Sequence, residues 1–327
     1  MACGLASCWA MLAAGAPVLG LELVVPVDCE VGRGCFIQQY MDHDSSTAAR
    51  DYACGSAVYD GHDGIDFRLR TTREAEQGVA VLAAAGGTVG ARRDGVPDRL
   101  ARNPEERKLV QGRECGNGVV IDHGGGWQTQ YCHLKQNSLT VAEGETVEAG
   151  RKIGEIGFSG TAAFAHLHLT VRLNGEPVDP FLGPEAAPEA CGADARPLWS
   201  EPALPGLEYR AGQLLDSGFA AKPLELDDLE TGEAHDLVPD RRSAAIVAWG
   251  WAINLRAGDK VVAVLAGPDG ELARNGLTLD RNQAQYMLFA GKKRPGAGWP
   301  AGRYQAGFTV SRQGETVIGA EQLLVLE

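Results

Sequence analysis

The chain has 327 residues, 44% of them hydrophobic and 22% charged, which is enough for a substantial core and exceeds the usual size of one domain. Its formal net charge of -13 leaves no basic footprint, and this argues against nucleic acid or an anionic membrane surface as its main partner.

Residues 1–21 are apolar and rich in small side chains. Met11, Leu12, Ala13, Ala14 and Ala16 form a run too short to cross a bilayer comfortably, so the segment reads as an export leader, although it lacks the basic start such leaders carry. Removing Cys3 and Cys8 with it leaves Cys29, Cys35, Cys54, Cys115, Cys132 and Cys191. An even number of cysteines in an exported chain points to disulfides, and the short Cys29/Cys35 spacing permits a small local loop. The expectation is a periplasmic or secreted protein, disulfide-bonded, with no stable membrane insertion after leader removal.

Residues 22–55 scatter Gly, Cys and Asp without a sustained period and read as a loop-rich N-terminal segment. Across residues 56–183, short β-type runs at 64–67, 79–83, 118–122, 127–132 and 166–172 alternate with Gly and Asn, the pattern of an antiparallel β domain. Gly124-Gly125-Gly126 marks a hairpin between two of these runs, because glycine reaches positive φ without steric cost. Residues 91–112 are polar and charged, with Arg92-Arg93-Asp94 and Glu105-Glu106-Arg107-Lys108, and read as a solvated surface excursion rather than the wall of a groove. Pro184, Pro188, Pro197, Pro202 and Pro205 make residues 184–205 an irregular linker. Residues 206–327 carry strand-like runs at 244–251, 260–266, 285–289, 304–310 and 322–326, spaced as in a small immunoglobulin-like β-sandwich. Trp249, Trp251 and Trp299 are expected in its core rather than on a glycan-stacking platform.

The chemistry lies in the histidines. In His166-Leu167-His168 the alternation of a strand throws both imidazoles onto one face and Leu167 onto the other. His62 and Asp66 share a face in the same way if the chain is extended. Gly64 between them removes a side chain that would crowd the site, and Asp63 points away. His133 closes the run Tyr131-Cys132-His133 at a strand end. His and carboxylate together are the usual ligand set of zinc in hydrolases, three of them leaving a position open for water. His43 and His235 fit no pattern and read as surface residues. His123, beside the hairpin, is either a support for a metal ligand or a structural histidine.

These residues resemble the M23, or lysostaphin-like, metallopeptidases over residues 59–181. The resemblance rests on an ordered series: His62-x-Gly64-x-Asp66, Val81-Leu82-Ala83-Ala84, Gly116-Asn117-Gly118, Tyr131-Cys132-His133, Gly144-Glu145-Thr146-Val147, Ala149-Gly150, Ile153-Gly154, His166-Leu167-His168 and Val178-Asp179-Pro180. It implies a mainly β fold with an open groove in an antiparallel sheet. It also implies one Zn2+ per chain held by His62, Asp66 and His168, with His133 and His166 catalytic outside the metal shell. Spacing alone does not divide those roles. The implied function is zinc-dependent hydrolysis of a peptide bond in peptidoglycan stem peptides or cross-links. The alternative is a catalytically weak relative that binds peptidoglycan or activates an amidase. Two departures bear on the groove: Phe158-Ser159-Gly160-Thr161 stands where Ser-Thr-Gly is more usual, and residues 91–112 exceed the compact relatives. Residues 141–150 also resemble the turn pattern of lipoyl and biotinyl carriers, but they lack a presented lysine and read as tight turns joining strands under the site.

Overall fold

The computed structural model describes residues 20–327, so the leader expected at residues 1–21 lies, save for its last two positions, outside the described residues. Among the described residues, ten strands precede the linker: β1 Phe36–Gln39, β2 Ile65–Arg68, β3 Ala80–Leu82, β4 Gly87–Arg93, β5 Asn117–Gly124, β6 Trp127–Leu134, β7 Thr146–Val147, β8 Lys152–Glu155, β9 His166–Leu173 and β10 Glu176–Pro177. Eight of them form one sheet in the order β1-β2-β9-β6-β5-β4-β7, with β10 beside β9, while β3 and β8 pair as a separate ribbon. Every pairing is antiparallel.

Period-two alternation assigns the two faces of this sheet. Ile65, Phe67, Val119, Ile121, Tyr131, Leu167, Leu169 and Val171 enter one core with Val81 and Ile153 of the ribbon. The opposite face carries Asp66 directly across from His168, and Arg68 directly across from His166. At the hairpin, Gly124, Gly125 and Gly126 all have positive φ, which lets β5 turn into β6.

Three expectations change once the chain is folded. The segment 22–55 is not merely loops, because β1 is the edge strand of the sheet and Leu23 and Val27 bridge to Trp199 and Val81. All four β1 residues are buried, so no alternation marks it. Residues 91–112 are more than a solvated excursion: β4 runs into them as far as Arg93, Val96, Ala101 and Val110 are buried, and helix α2, Pro104–Lys108 after α1 Thr72–Gln77, is closed by an Asn103/Glu106 capping box. The glycine turns of 141–150 do not lie under the site, since they carry β7 to the far edge of the sheet, beside β4.

Among the described residues, three disulfides join Cys29 to Cys35, Cys54 to Cys191 and Cys115 to Cys132. The second ties the N-terminal segment to the proline-rich connection, where Leu198, Trp199 and Ala203 are packed into the core.

Beyond the connection come β11 Gln213–Ala220, helix α3 Leu226–Thr231, β12 Ala245–Leu255, β13 Lys260–Gly267, β14 Gly270–Thr278, β15 Gln283–Lys293, β16 Gly302–Arg312 and β17 Glu315–Leu326. They make two sheets, β11-β12-β15 and β14-β13-β16-β17. Ala252, Leu255, Leu288 and Ala290 of the first meet Val261, Ala263, Phe308 and Val310 of the second in one core, which makes a β-sandwich. The run Ala-Ile-Val-Ala-Trp-Gly-Trp-Ala-Ile-Asn-Leu of β12 is buried on both faces. Ile246 and Ala248 face the sandwich core, whereas Val247, Trp249, Trp251 and Ile253 pack with Phe36 of β1 and Leu229 of α3. Trp249, Trp251 and Trp299 are all buried, so none forms a stacking platform. Among the described residues, no helix is long and apolar enough to cross a membrane.

Candidate metal centre

Two strands and one turn bring three donor atoms together. Asp66 and His168 face each other across β2 and β9, and the turn before β2 adds His62. His62 Nε2 lies 3.1 Å from His168 Nδ1 and 3.2 Å from Asp66 Oδ1, and His168 Nδ1 lies 2.9 Å from the same oxygen. Donors held by zinc at 2.0–2.1 Å in a tetrahedron sit ~3.3 Å apart, so the triangle is close to the required size.

The outer nitrogens explain why these atoms converge. His62 Nδ1 donates to the carbonyl of Tyr40 at 2.6 Å, and the edge strand β1 delivers that carbonyl. His168 Nε2 donates to Thr170 Oγ1 at 2.9 Å and lies 3.3 Å from Asp63 Oδ1. With the outer nitrogens committed, the nitrogens left to ligate a cation are the inner ones, which face the Asp66 oxygen. Burial by itself raises the Asp66 carboxyl, but His62, His166 and His168 outweigh it and hold the group well below the usual carboxylate range. Burial lowers His168, yet Asp63 and Asp66 overcome this and raise it to about 9, so an arriving cation displaces a proton. The residues present therefore fit zinc, by donor type and by spacing.

Gly64 is required for this approach. A Cβ there would lie 2.5 Å from the Leu169 carbonyl oxygen and 2.7 Å from His168 Nε2. Asp63 corrects the alternation argument, for its carboxylate does not point away but turns in towards His168 and Arg172 Nη2. The reason is local: β2 begins only at Ile65, so residues 62–64 lie outside the strand and its alternation does not govern them.

The remaining two histidines flank the triangle. His133, at φ 63°, has a left-handed backbone, fixed by its N–H donating to the Cys115 carbonyl at 2.8 Å and by the neighbouring Cys115–Cys132 disulfide. Its Nδ1 donates to the Ser159 carbonyl at 2.8 Å, and His166 Nδ1 donates to the Phe164 carbonyl at 2.9 Å. The two rings lie 4.6 Å apart. Burial, joined by His166 and His168, pushes His133 well below the ordinary imidazole value, and burial also lowers His166 against the pull of Asp66. Both rings are therefore neutral at neutral pH, with Nε2 free to accept a proton.

The other histidines fall outside the centre. His43 is not a surface residue, because its side chain is buried and bonds Asp179 at 2.7 Å. His235 is exposed and pairs with Asp216. His123 bonds Gly86 and Thr129 and no residue of the centre, which is the structural alternative. Sequence reasoning missed Tyr40, Asp63 and Thr170. Only Thr170 had a local signal, since it shares the face of His166 and His168 on β9.

A cleft of about 340 Å³ opens beside His168, lined also by Tyr59, Asp63, Glu114, Cys132, His133, Thr170 and Arg172 among others. Glu114 and Cys115, just beyond the polar insert, form part of its wall. Three candidate metal donors thus meet beside an open cleft on an antiparallel sheet, with two further histidines next to them. Residues 60–180 match the model of peptidase family M23. The chain is 34% identical over 135 residues to the DD-carboxypeptidase/endopeptidase Mpg of Neisseria meningitidis, covering 41% of this chain and 25% of that protein. It is 39% identical over 65 residues to the peptidoglycan DD-endopeptidase ShyA of Vibrio cholerae, covering 20% and 15%. It is 30% identical over 127 residues to the cell division protein DipM of Caulobacter vibrioides, covering 37% and 17%. The chain thus spans no more than a quarter of the length of these relatives.

Proposed function

We propose that this protein is an exported zinc endopeptidase that hydrolyses a peptide bond in the stem peptides or cross-links of peptidoglycan. The observation that carries the reading is the convergence of His62 Nε2, Asp66 Oδ1 and His168 Nδ1 within 3.2 Å of one another, beside a cleft that His168 and His133 line and with the His166 ring 4.6 Å from that of His133. The cell-wall substrate is supported by the relatives named DD-endopeptidase, and export by the three disulfides. The reading divides the chain into a leader at 1–21, an N-terminal segment at 22–55, a peptidase domain at 56–183, a linker at 184–205 and a sandwich domain at 206–327.

His62, Asp66 and His168 would hold one zinc per chain, which when bound supplies Lewis acidity to a carbonyl and lowers the pKa of water. The rest of the chemistry falls to the pair His133 and His166. Each keeps its Nδ1 proton on a main-chain carbonyl and offers Nε2 as a proton acceptor. One ring takes the proton of the attacking water, and an N–H so charged or so placed donates to the developing oxyanion. No covalent acyl intermediate is needed.

A second reading, a peptidoglycan-binding or amidase-activating protein, is favoured by the match to a cell division protein. Its weakness is that all five histidine and aspartate positions are filled. Zinc content and muropeptide release from purified sacculi, followed by mass spectrometry, separate the two. His168→Ala is expected to lose metal and turnover together, and His133→Ala and His166→Ala to keep metal but lose turnover. A zinc-loaded wild-type protein that releases no peptide from sacculi would return the assignment to the second reading.

A further inference from the structure

We propose that the C-terminal sandwich is a fixed buttress of the active site, and that Arg68 is the positioning residue through which it holds Phe164 and, through Phe164, His166. The proposal rests on the endopeptidase reading for its kinetic part only.

Arg68 lies on the same sheet face as Asp66 and His168 and directly across from His166. On an isolated peptidase sheet, a guanidinium there would stand in water at the end of the cleft. Instead Arg68 is fully buried, and Glu230 and Trp251 of the C-terminal half help to bury it. Its Nη2 donates to Glu230 of α3 at 3.0 Å, and its guanidinium carbon lies 4.9 Å from the ring centre of Trp251 on β12. The other donors are used on the near side: Nε on the Leu69 carbonyl, Nη1 on Gln38 Oε1. A guanidinium held by this many fixed partners has little freedom.

The opposite contact of Arg68 is catalytic in its consequence. Its guanidinium carbon lies 4.5 Å from the ring centre of Phe164, and that ring lies 4.6 Å from the ring of His166. The Phe164 carbonyl also accepts the His166 Nδ1 proton, so whatever fixes Phe164 fixes both the plane and the tautomer of His166.

The docking itself is of a permanent kind. Asn254 Nδ2 on β12 donates to the Gln38 carbonyl at 2.9 Å, and Gln213 Nε2 on β11 to the Ile37 carbonyl at 3.3 Å, both on β1. Separating the two halves would break the buried Arg68–Glu230 pair and uncover the second apolar face of β12. A wall-binding module on a flexible tether needs neither feature. The sequence carries the same message, because β12 is apolar on both faces where an outer sandwich strand would alternate.

The test uses the full chain loaded with zinc. Glu230→Gln keeps the shape of the partner and removes its charge. The expected result is unchanged zinc content, KM within about twofold and kcat lowered roughly tenfold. Phe164→Leu gives a similar loss, and the double variant loses no more than the worse single one, because both act along one chain of contacts. Nitrogen-15 NMR of the imidazoles supplies a readout that a purely structural role does not move: a single Nδ1–H tautomer of His166 in the wild type, a mixture in Glu230→Gln. Wild-type kcat in folded Glu230→Gln, or additive losses, overturns the proposal. Should Glu230→Gln fail to fold, an unchanged His166 tautomer in Phe164→Leu overturns it instead. A wild type without turnover whose His166 tautomer still responds to Glu230→Gln sinks the endopeptidase reading and leaves the buttress standing.

Discussion

The carboxylate of Asp63 lies 3.3 Å from His168 Nε2, on the side of the ring away from the candidate metal, and its other oxygen faces Arg172 Nη2 at 3.4 Å. Asp63 therefore belongs to the centre without being a ligand. Together with Thr170 it decides which nitrogen of His168 carries the proton.

That shared duty predicts graded losses. Asp63→Asn and Thr170→Val are each expected to weaken zinc affinity about tenfold, and the double variant by up to about a hundredfold, because ligand orientation is lost while the ligands remain. Competition with a chelating dye measures this. Wild-type affinity in the double variant would show that the ring is held by β9 alone.

Gly64→Ala puts a methyl group 2.5 Å from a main-chain oxygen and 2.7 Å from His168 Nε2, with no flexible side-chain end to yield on the carbonyl side. The strand pair must part. A loss on the order of 2 kcal/mol is expected, together with weaker zinc binding. Thermal melts with and without zinc check both, and a variant as stable and as metal-avid as wild type refutes the close approach.

The Cys115–Cys132 bridge closes a loop with a sequence separation of 17 and abuts His133. In the chain-entropy account a loop of that length is worth about 3 kcal/mol. Cys115→Ser/Cys132→Ser should therefore melt earlier. Its kcat should also fall at unchanged zinc content, because the left-handed His133 loses part of its support. If only stability changes, the bridge has no bearing on the placement of His133.

Asp259 is fully buried in the sandwich and takes both Arg312 Nε and Nη2 at 2.8 Å. Burial alone would raise its carboxyl, but Arg312 and the N–H of Arg256 outweigh it and lower the value. A carboxyl lowered in the folded state stabilises fully above its unfolded value of about 4 and ceases to do so as pH falls through the folded value. Asp259→Asn is expected to cost about 3 kcal/mol at neutral pH and to flatten the decline in stability below about pH 4. Melting curves from pH 7 to 3 test it, and parallel curves for variant and wild type count against it.

The centre was largely legible because its alternation is short-range. His166-Leu167-His168 puts two rings on one face whatever lies around them, and Asp66 sits on a strand whose neighbours Ile65 and Phe67 must face a core. The argument failed for Asp63 because it extended the strand two residues too far. It failed for His43, whose buried partner Asp179 lies 136 residues away in the chain. In the sandwich, the runs at 244–251, 260–266 and 304–310 fall inside β12, β13 and β16, while β11 and β14 went unnoticed. The exposed residues of β14 give it no apolar face to read.

By itself, then, the sequence determined the residue types of a candidate metal site, the faces on which strands present them, the glycine turn between β5 and β6 and the mainly β character of both halves. These follow from backbone geometry within a few residues. Tertiary structure alone decided that Tyr40 would fix His62, that β1 would complete the sheet and that Arg68 would be buried beneath the sandwich. Each of these depends on which distant surface a side chain meets, and burial, charge pairing and tautomer are properties of that meeting rather than of the local chain.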